Sequence, residues 1–294
     1  MTSEAAGSNR SKAVLITGCA SGIGKVTAQH LAAQGWTVYA TSRDGRGLDA
    51  LTAAGCHPLP LDVNDEASMA AAVAAVTARE GAVGVLINNA GYSQSGAVEA
   101  VPMAKVRAQF ETNVFGPVRR TQLVLPGMRA QRWGKVVNLS SMGGKLTFPG
   151  GGYYHATKHA VEAISDALRF EVRGFGVDVV VIEPGLIRTG FSAAATSQMN
   201  IPPVGPDDPY GAFHAHVAKA TVESYERGPL AKLAGEALDV AKAITKAITV
   251  DKPRARDTVS GSARLLLGQR TLLSDSAWDR FLRGSFPSPG ASSP

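Results

Sequence analysis

Apolar and polar positions along this chain fall into short alternating blocks. Continuous apolar runs, of the length of strands buried on both faces, occur at 13–18 (AVLITG), 37–43 (TVYATSR), 57–63 (HPLPLDV), 83–91 (VGVLINNAG), 134–141 (GKVVNLSS) and 177–185 (VDVVVIEPG). Between them, apolar residues recur at helical spacing over 24–35, 46–55, 65–81, 103–131 and from 153 to about 173. Gly35 and Gly55 end the first two helices, as a residue free to turn left-handed does. The third opens on Asp65-Glu66, acids placed where the helix dipole favours them. The fourth is expected to break near Gly116-Pro117 and again at Pro126-Gly127. Regular strand–helix alternation predicts an α/β fold, a doubly wound parallel sheet of about seven strands with helices on both faces. Ligands of such sheets bind beyond the carboxyl ends of the strands.

After residue 185 the rhythm changes. Residues 196–211 are rich in Pro, Gly and polar side chains and read as a loop. Helices are expected at about 208–227 and 235–249, a last strand at 255–261, and a last helical region from Ser262 to Gly284. Residues 1–10 and 285–294 read as flexible tails around a single domain, 11–284. Segment 190–230 reads as a mobile lid, because long irregular stretches in compact domains tend to be functional.

Composition narrows the classes. The chain has 294 residues, 45% of them hydrophobic, enough for a large core, with 32 glycines suited to close helix–sheet packing. No run approaches the roughly 18 apolar residues of a membrane span. The polar N-terminus lacks the apolar core of a signal peptide. Two cysteines, Cys19 and Cys56, form no disulfide or zinc pattern, so a reducing, cytoplasmic setting is expected. The net charge of +6 is concentrated in residues 241–294, which hold nine Lys/Arg against four Asp. No nucleic-acid motif accompanies that charge, so it reads as a solvated face.

Candidate chemistry sits just after strands. TGCASGIGK (17–25) follows the first and places Gly18, Gly22 and Gly24, with Ser21 and Ile23, at the start of a helix. Glycines there allow a tight turn and close approach of backbone to a pyrophosphate, which the helix N-terminus attracts. At the end of the second strand, Ser42 stands where a NAD site usually carries an acid, and Arg43 follows. A guanidinium suits a 2′-phosphate, which favours NADP(H). Asp44 keeps NAD(H) open, since it could serve a ribose 2′-hydroxyl. In GGYYHATKHA (151–160), Tyr154 and Lys158 are four apart and share a helix face, whereas Tyr153 is turned by about 100°. A phenol of ordinary pKa, about 10, must be shifted to exchange protons near neutral pH. A nearby ammonium is one means of doing so.

These motifs together resemble the short-chain dehydrogenase/reductase family in its single-domain form. The resemblance rests on TG-x3-G-x-G (17–24), Asp62 after the third strand, NNAG (88–91), Asn113, Ser140-Ser141, Tyr154-x3-Lys158, and Pro184-Gly185 with Thr189. They stand in family order over about residues 13–190. It implies a Rossmann-type sheet and a hydride-transferring oxidoreductase acting on an alcohol or carbonyl. It also implies the roles. Tyr154 exchanges the proton with the substrate oxygen. Lys158 binds the nicotinamide ribose and lowers the tyrosine pKa. Asn113 holds a relay water, and Ser141, thirteen residues before Tyr154, polarises the carbonyl. Asp62 and Val63 border the adenine. Asn89, Ala90 and Gly91 line the cofactor, and Pro184, Gly185, Ile187 and Thr189 hold the nicotinamide carboxamide. A homodimer or homotetramer built on the long helices at about 103–131 and 153–173 follows from the same likeness. GCASGIG, ATSR, SSMGG and VIEPG resemble the hydroxysteroid and retinol dehydrogenase branch, so a lipophilic small-molecule substrate is expected. Its pocket would draw on Met142, Phe148, Leu186, Ile187, Phe191, Met199, Ile201, Tyr210 and Phe213. Two other readings stand beside this one: a reductase of polar substrates such as sugars or 3-oxoacyl thioesters, and a non-catalytic NADP-binding regulator. No metal is expected, because His214 and His216, two apart on a helix, face different ways.

Overall fold

The computed structural model describes residues 10–197 and 208–290. Nine strands occur in it: β1 (Val14–Ile16), β2 (Val38–Ser42), β3 (His57–Pro60), β4 (Val85–Asn88), β5 (Gly134–Leu139), β6 (Val177–Pro184), β7 (Ile187–Arg188), β8 (Gly235–Glu236) and β9 (Arg256–Val259). Seven form one sheet in the order β3-β2-β1-β4-β5-β6-β9. Every pairing in it is parallel. The order reverses between β1 and β4, so a crevice opens there above the strand ends. The short β7 and β8 pair separately beyond the sheet.

Twelve α-helices accompany the strands: α1 (Gly22–Ala32), α2 (Asp49–Ala53), α3 (Glu66–Glu80), α4 (Met103–Phe110), α5 (Gly116–Ala130), α6 (Gly152–Val172), α7 (Phe191–Ser197), α8 (Gly211–Glu226), α9 (Gly228–Lys232), α10 (Ala237–Thr249), α11 (Gly261–Leu272) and α12 (Asp275–Arg283). Successive strand residues point to opposite faces, and both faces are apolar. Val14, Ile16, Val85 and Ile87 join Ala28 and Leu31 of α1 and Val240 and Ile244 of α10 on one side. Leu15, Leu86, Val136 and Val179 join Val73 and Val76 of α3, Val124 and Met128 of α5 and Val172 of α6 on the other. This burial on two faces explains why the strands read as unbroken apolar runs. Each fully buried aliphatic side chain among them contributes about 1.5–3 kcal/mol. Among the described residues no helix is long and apolar enough to cross a membrane.

The long fourth helix is interrupted next to Gly116-Pro117, as expected, by one turn of π-helix, Glu111–Phe115, between α4 and α5. Two expectations need correction. The helix does not break at Pro126, which lies inside α5. Proline removes the N–H that would have served the Gln122 carbonyl, but Gln122 and Pro126 are both exposed, so water can take that carbonyl. The segment read as a C-terminal tail begins with packed residues. Phe286 joins Tyr210, Phe213 and Val217 in a small cluster, and His216 Nε2 meets Ser285 O at 2.9 Å. Of the expected lid, 198–207 fall outside the described residues, as do 1–9 and 291–294 of the tails. The rest of the lid segment forms α7, α8 and most of the connection to β8 through α9.

Candidate active site

A cleft of about 1060 Å³ runs across the carboxyl ends of β1, β4, β5 and β6. Its volume suits a dinucleotide and a small substrate side by side. At one end lies the glycine loop. Gly18 adopts φ +73°, open to glycine but strained for other residues. A Cβ on Gly24 would sit 2.4 Å from Gly18 O and 2.5 Å from Asn89 Nδ2, so only glycine lets α1 start so close to β1. Asn89 holds the turn from the other side: its Nδ2 donates to Thr17 O at 2.8 Å and to Gly18 O at 3.2 Å. The N-cap of α1, Ser21, makes no side-chain capping bond. The first N–H groups of α1 are therefore left for a ligand, and Ser21, Gly22 and Ile23 line the cleft. The cradle fits the pyrophosphate of a dinucleotide. Gly24 itself lies behind the cleft surface.

Ser42, Arg43, Asp62 and Val63 also line the cleft, at its outer end. Ser42 Oγ donates to Arg46 O at 2.8 Å, and Asp62 Oδ1 accepts from Asn64 N at 2.9 Å, so both turns are fixed locally. Asp44 does not reach the cleft. Its carboxylate accepts from Arg46 Nε at 2.6 Å and from Arg46 N at 3.1 Å. Arg43 remains exposed beside Ser42.

At the inner end the two tyrosines separate. Tyr153 OH turns outward and donates to Val98 O at 3.0 Å. Tyr154 faces the cleft beside Ser141 and Lys158. Ser141 caps a 3-10 turn, Met142–Gly144, accepting from Gly143 N at 3.1 Å, and its hydroxyl lies near the Tyr154 phenol. Ser140 is buried, and its Oγ has no partner. Lys158 Nζ is 5.7 Å from the Tyr154 ring centroid and donates to Leu139 O at 2.7 Å. Burial pushes the Tyr154 phenol up to about 12, with the Ser141 hydroxyl working against it. Burial holds the Lys158 ammonium down to about 8, opposed by the Glu162 carboxylate one turn on. The chain by itself, without a cofactor, thus keeps Tyr154 protonated. The reason is desolvation of the phenolate, which outweighs its neighbours.

Asn113 sits in the π-turn, 2% exposed and behind the cleft surface. Its Nδ2 donates to Tyr92 O at 2.9 Å and to Thr157 Oγ1 at 3.1 Å, and its Oδ1 accepts from Tyr92 N at 3.1 Å. Both amide protons are committed, which leaves one lone pair of Oδ1 for a water. Ala90 and Gly91 line the cleft, while Asn88 works inside the fold. Asn88 Nδ2 donates to Asn138 Oδ1 at 2.9 Å, Asn138 Nδ2 to Ser165 Oγ at 2.9 Å, and Arg120 Nε to Asn88 Oδ1 at 2.9 Å. This buried chain ties α5 to α6 through the centre of the sheet.

Pro184, Gly185, Ile187 and Thr189 lie along the cleft between the two ends. Beyond them the wall is mainly apolar. Met142, Phe148, Leu186 and Phe191 line it as expected. Tyr210 and Phe213 do not; they pack beneath it with Ala97, Ala100, Val217 and Phe286. Met199 and Ile201 lie outside the described residues. Sequence reading missed His155, Tyr225, Leu230, Leu266, Phe281 and Phe286, all on the cleft wall. Phe286 was hidden in the segment read as a tail, and Phe281 in a last helical region to which no site was assigned. The apolar spacing of Trp278, Phe281 and Leu282 was the available signal. His214 Nε2 accepts from Ala97 N at 3.0 Å, whereas His216 Nε2 meets Ser285 O at 2.9 Å, so the two rings serve separate backbone partners. Cys19 and Cys56 are both free and buried, and burial pushes the Cys19 thiol up to about 12.

This cradle, cleft and Ser–Tyr–Lys group mark an oxidoreductase built on a dinucleotide fold. The chain belongs to the short chain dehydrogenase family, whose sequence profile matches residues 12–200. Members act on CH–OH and carbonyl groups. An NADPH-dependent 3-dehydrocapnine reductase from Ornithobacterium rhinotracheale is 35% identical, covering 90% of this chain and 94% of its own. A 3-ketodihydrosphingosine reductase from Bacteroides thetaiotaomicron is 42% identical over 61% of this chain and 65% of its own. Rat estradiol 17-beta-dehydrogenase 1 is 42% identical over 62% of this chain, which spans 56% of that protein. Among solved structures, a serine dehydrogenase in closed form with NADP+ superposes with a TM-score of 0.72 at 28% identity, covering 84% of this chain and 94% of its own.

Proposed function

We propose that this protein reduces the carbonyl of a lipophilic substrate with NADPH, and that Tyr154 delivers the proton. The observation that carries the reading is the placing of Tyr154, Ser141 and Lys158 on one cleft wall, with Tyr153 turned away to Val98. A bound nicotinamide dinucleotide supplies the hydride and, once oxidised, a positive charge. Ser141 and Tyr154 hydrogen-bond the carbonyl oxygen and polarise it. Tyr154, held protonated by burial, gives its proton to that oxygen as negative charge develops. Lys158 stabilises the phenolate left behind and reaches the ribose hydroxyls. Asn113 fixes the Tyr92 backbone and Thr157 on either side of this group, and its free lone pair is the place for a relay water. The names of the relatives, a ketosphingoid reductase and an estradiol dehydrogenase, support a lipophilic substrate, as do Phe148, Phe191, Leu230 and Leu266 in the wall. The test is NADPH oxidation, followed by nicotinamide absorbance, over steroid, retinoid, long-chain and short ketones. Turnover confined to sugars or short polar ketones would overturn the reading.

NADPH is the preferred cofactor in this proposal. Arg43 stands exposed at the adenosine end while Asp44 is engaged by Arg46 and so is not offered to a ribose. Arg43→Ala is expected to weaken NADPH binding by about 1–3 kcal/mol and to leave NADH nearly unaffected. Titration of both cofactors by nicotinamide fluorescence measures this. Equal losses for the two would remove Arg43 from 2′-phosphate recognition.

The long helices supply the subunit interface in the same proposal. Met103 is 53% exposed, Phe115 53% and Phe170 88%, large apolar side chains on or beside α4, α5 and α6. Such exposure on one helical layer favours a homodimer or homotetramer. Phe170→Asp is expected to shift the mass seen by light scattering at micromolar protein toward the monomer. A wild type already monomeric there would refute the oligomer.

A further inference from the structure

The substrate half of the cleft offers few free polar groups. Thr221 Oγ1 donates to Val217 O at 2.7 Å and Ser224 Oγ to Thr221 O at 2.8 Å, so both hydroxyls are spent within α8. Tyr225, in the last turn of α8, differs. It is half-buried and lines the cleft. Among the described residues no hydrogen bond takes up its hydroxyl, and that oxygen is not sealed inside the protein. Burial pushes its pKa above the ordinary phenol value, and the Tyr154 phenol is near enough to add to the effect. Tyr225 therefore keeps its proton at physiological pH, with a donor and an acceptor both unused.

A purely apolar wall would be served as well by phenylalanine. A hydroxyl covered by ligand and left unpaired weakens binding roughly 5- to 150-fold, whereas one that meets a partner does not. Apart from the Tyr154 phenol, which the reaction engages, the substrate half of the cleft is lined mainly by apolar side chains such as Leu186, Phe191, Leu230, Leu266 and Phe281, so a ligand that covers the Tyr225 hydroxyl must supply its partner.

We propose that Tyr225 is a specificity residue that hydrogen-bonds a second polar group of the substrate, a hydroxyl or amino group carried close to the reacting carbonyl on an otherwise apolar skeleton. This rests on carbonyl reduction at Tyr154, and it narrows the substrate class from lipophilic ketones to ketones with a polar group beside the carbonyl. Tyr225 acts on binding and takes no part in the proton transfer.

Two matched substrates test it: decan-2-one and 1-hydroxydecan-2-one, with NADPH, on the wild type and Tyr225→Phe. The wild type is expected to favour the hydroxyketone by roughly 10-fold or more in kcat/KM. Tyr225→Phe is expected to lower kcat/KM for the hydroxyketone by a similar factor, mainly through KM, and to raise it severalfold for decan-2-one. Equal change on both ketones, or no change on either, overturns the proposal. If the wild type turns over neither these ketones nor any of the wider screen, the reduction reading fails separately. Binding of decane-1,2-diol against decan-1-ol to the NADPH complex then decides on Tyr225. Loss of the diol preference in Tyr225→Phe supports the proposal, and its retention overturns it.

Discussion

Tyr154→Phe is expected to lower kcat for carbonyl reduction about 10²- to 10⁴-fold, the range for removing a positioned proton donor, while NADPH still binds. The phenylalanine keeps the ring, and with it the contact to Phe191, whose centroid is 5.8 Å away. What is lost is the transferable proton. Tyr153→Phe, one residue earlier, removes only the bond to Val98 O and is expected to leave kcat within about twofold, since peripheral polar changes cost little. Single-turnover measurement of NADPH oxidation by both variants separates chemistry from release. Inactivation by Tyr153→Phe instead would mean that the wrong phenol has been assigned.

Lys158→Met is expected to lower kcat at least about 10²-fold and, unusually for so buried a site, to stabilise the protein near pH 6. Lys158 is 6% exposed. Its pKa falls from 10.5 when free to about 8 in the fold, mainly through burial. The unfolded chain therefore holds this proton more tightly than the folded one. Folding bears the full cost of the buried ammonium below about pH 8, and the cost fades as pH rises from about 8 to 10.5. That difference is worth roughly 3 kcal/mol, against which loss of the hydrogen bond to Leu139 O removes about 1. A gain in melting temperature of about 2–6 °C at pH 6 should result, shrinking or reversing by about pH 10. Calorimetry at the two pH values measures it. A lower melting temperature at pH 6 would show that the ammonium is no net cost there.

Most of the sheet was legible because a strand buried on both faces leaves an unbroken apolar run, as VVVI in β6 does. The position of the ligand residues just after strands followed from strand–helix alternation, and Tyr154 from its spacing to Lys158. The π-turn at 111–115 was not legible. It adds one residue to a helical turn without changing the composition, and it follows from how Asn113 packs against Tyr92 and Thr157. Pro126 misled because its effect depends on whether water reaches the Gln122 carbonyl, a matter of burial. The far wall of the cleft was hidden for a related reason. Phe281 and Phe286 lie about 90 residues or more after the catalytic motifs among residues that read as solvated or disordered, and only tertiary packing brings them back. The dryness around Tyr154 was not legible either, because spacing reports a neighbour's charge but not burial.

The packing of α1 against α10 has a consequence for how the protein is made. Ala28 and Leu31 are covered by Val240 and Ile244, about 200 residues downstream. At roughly 5–20 residues per second a ribosome needs some 10–40 s to supply that cover, and meanwhile one flank of α1 lies bare to chaperones. The glycine loop, though among the first segments translated, leads into a helix whose cover is among the last to arrive. Chains cut short before α10 should emerge unable to hold a dinucleotide even with every residue of the loop present. Nicotinamide fluorescence on a released chain would thus serve as a readout of completed synthesis.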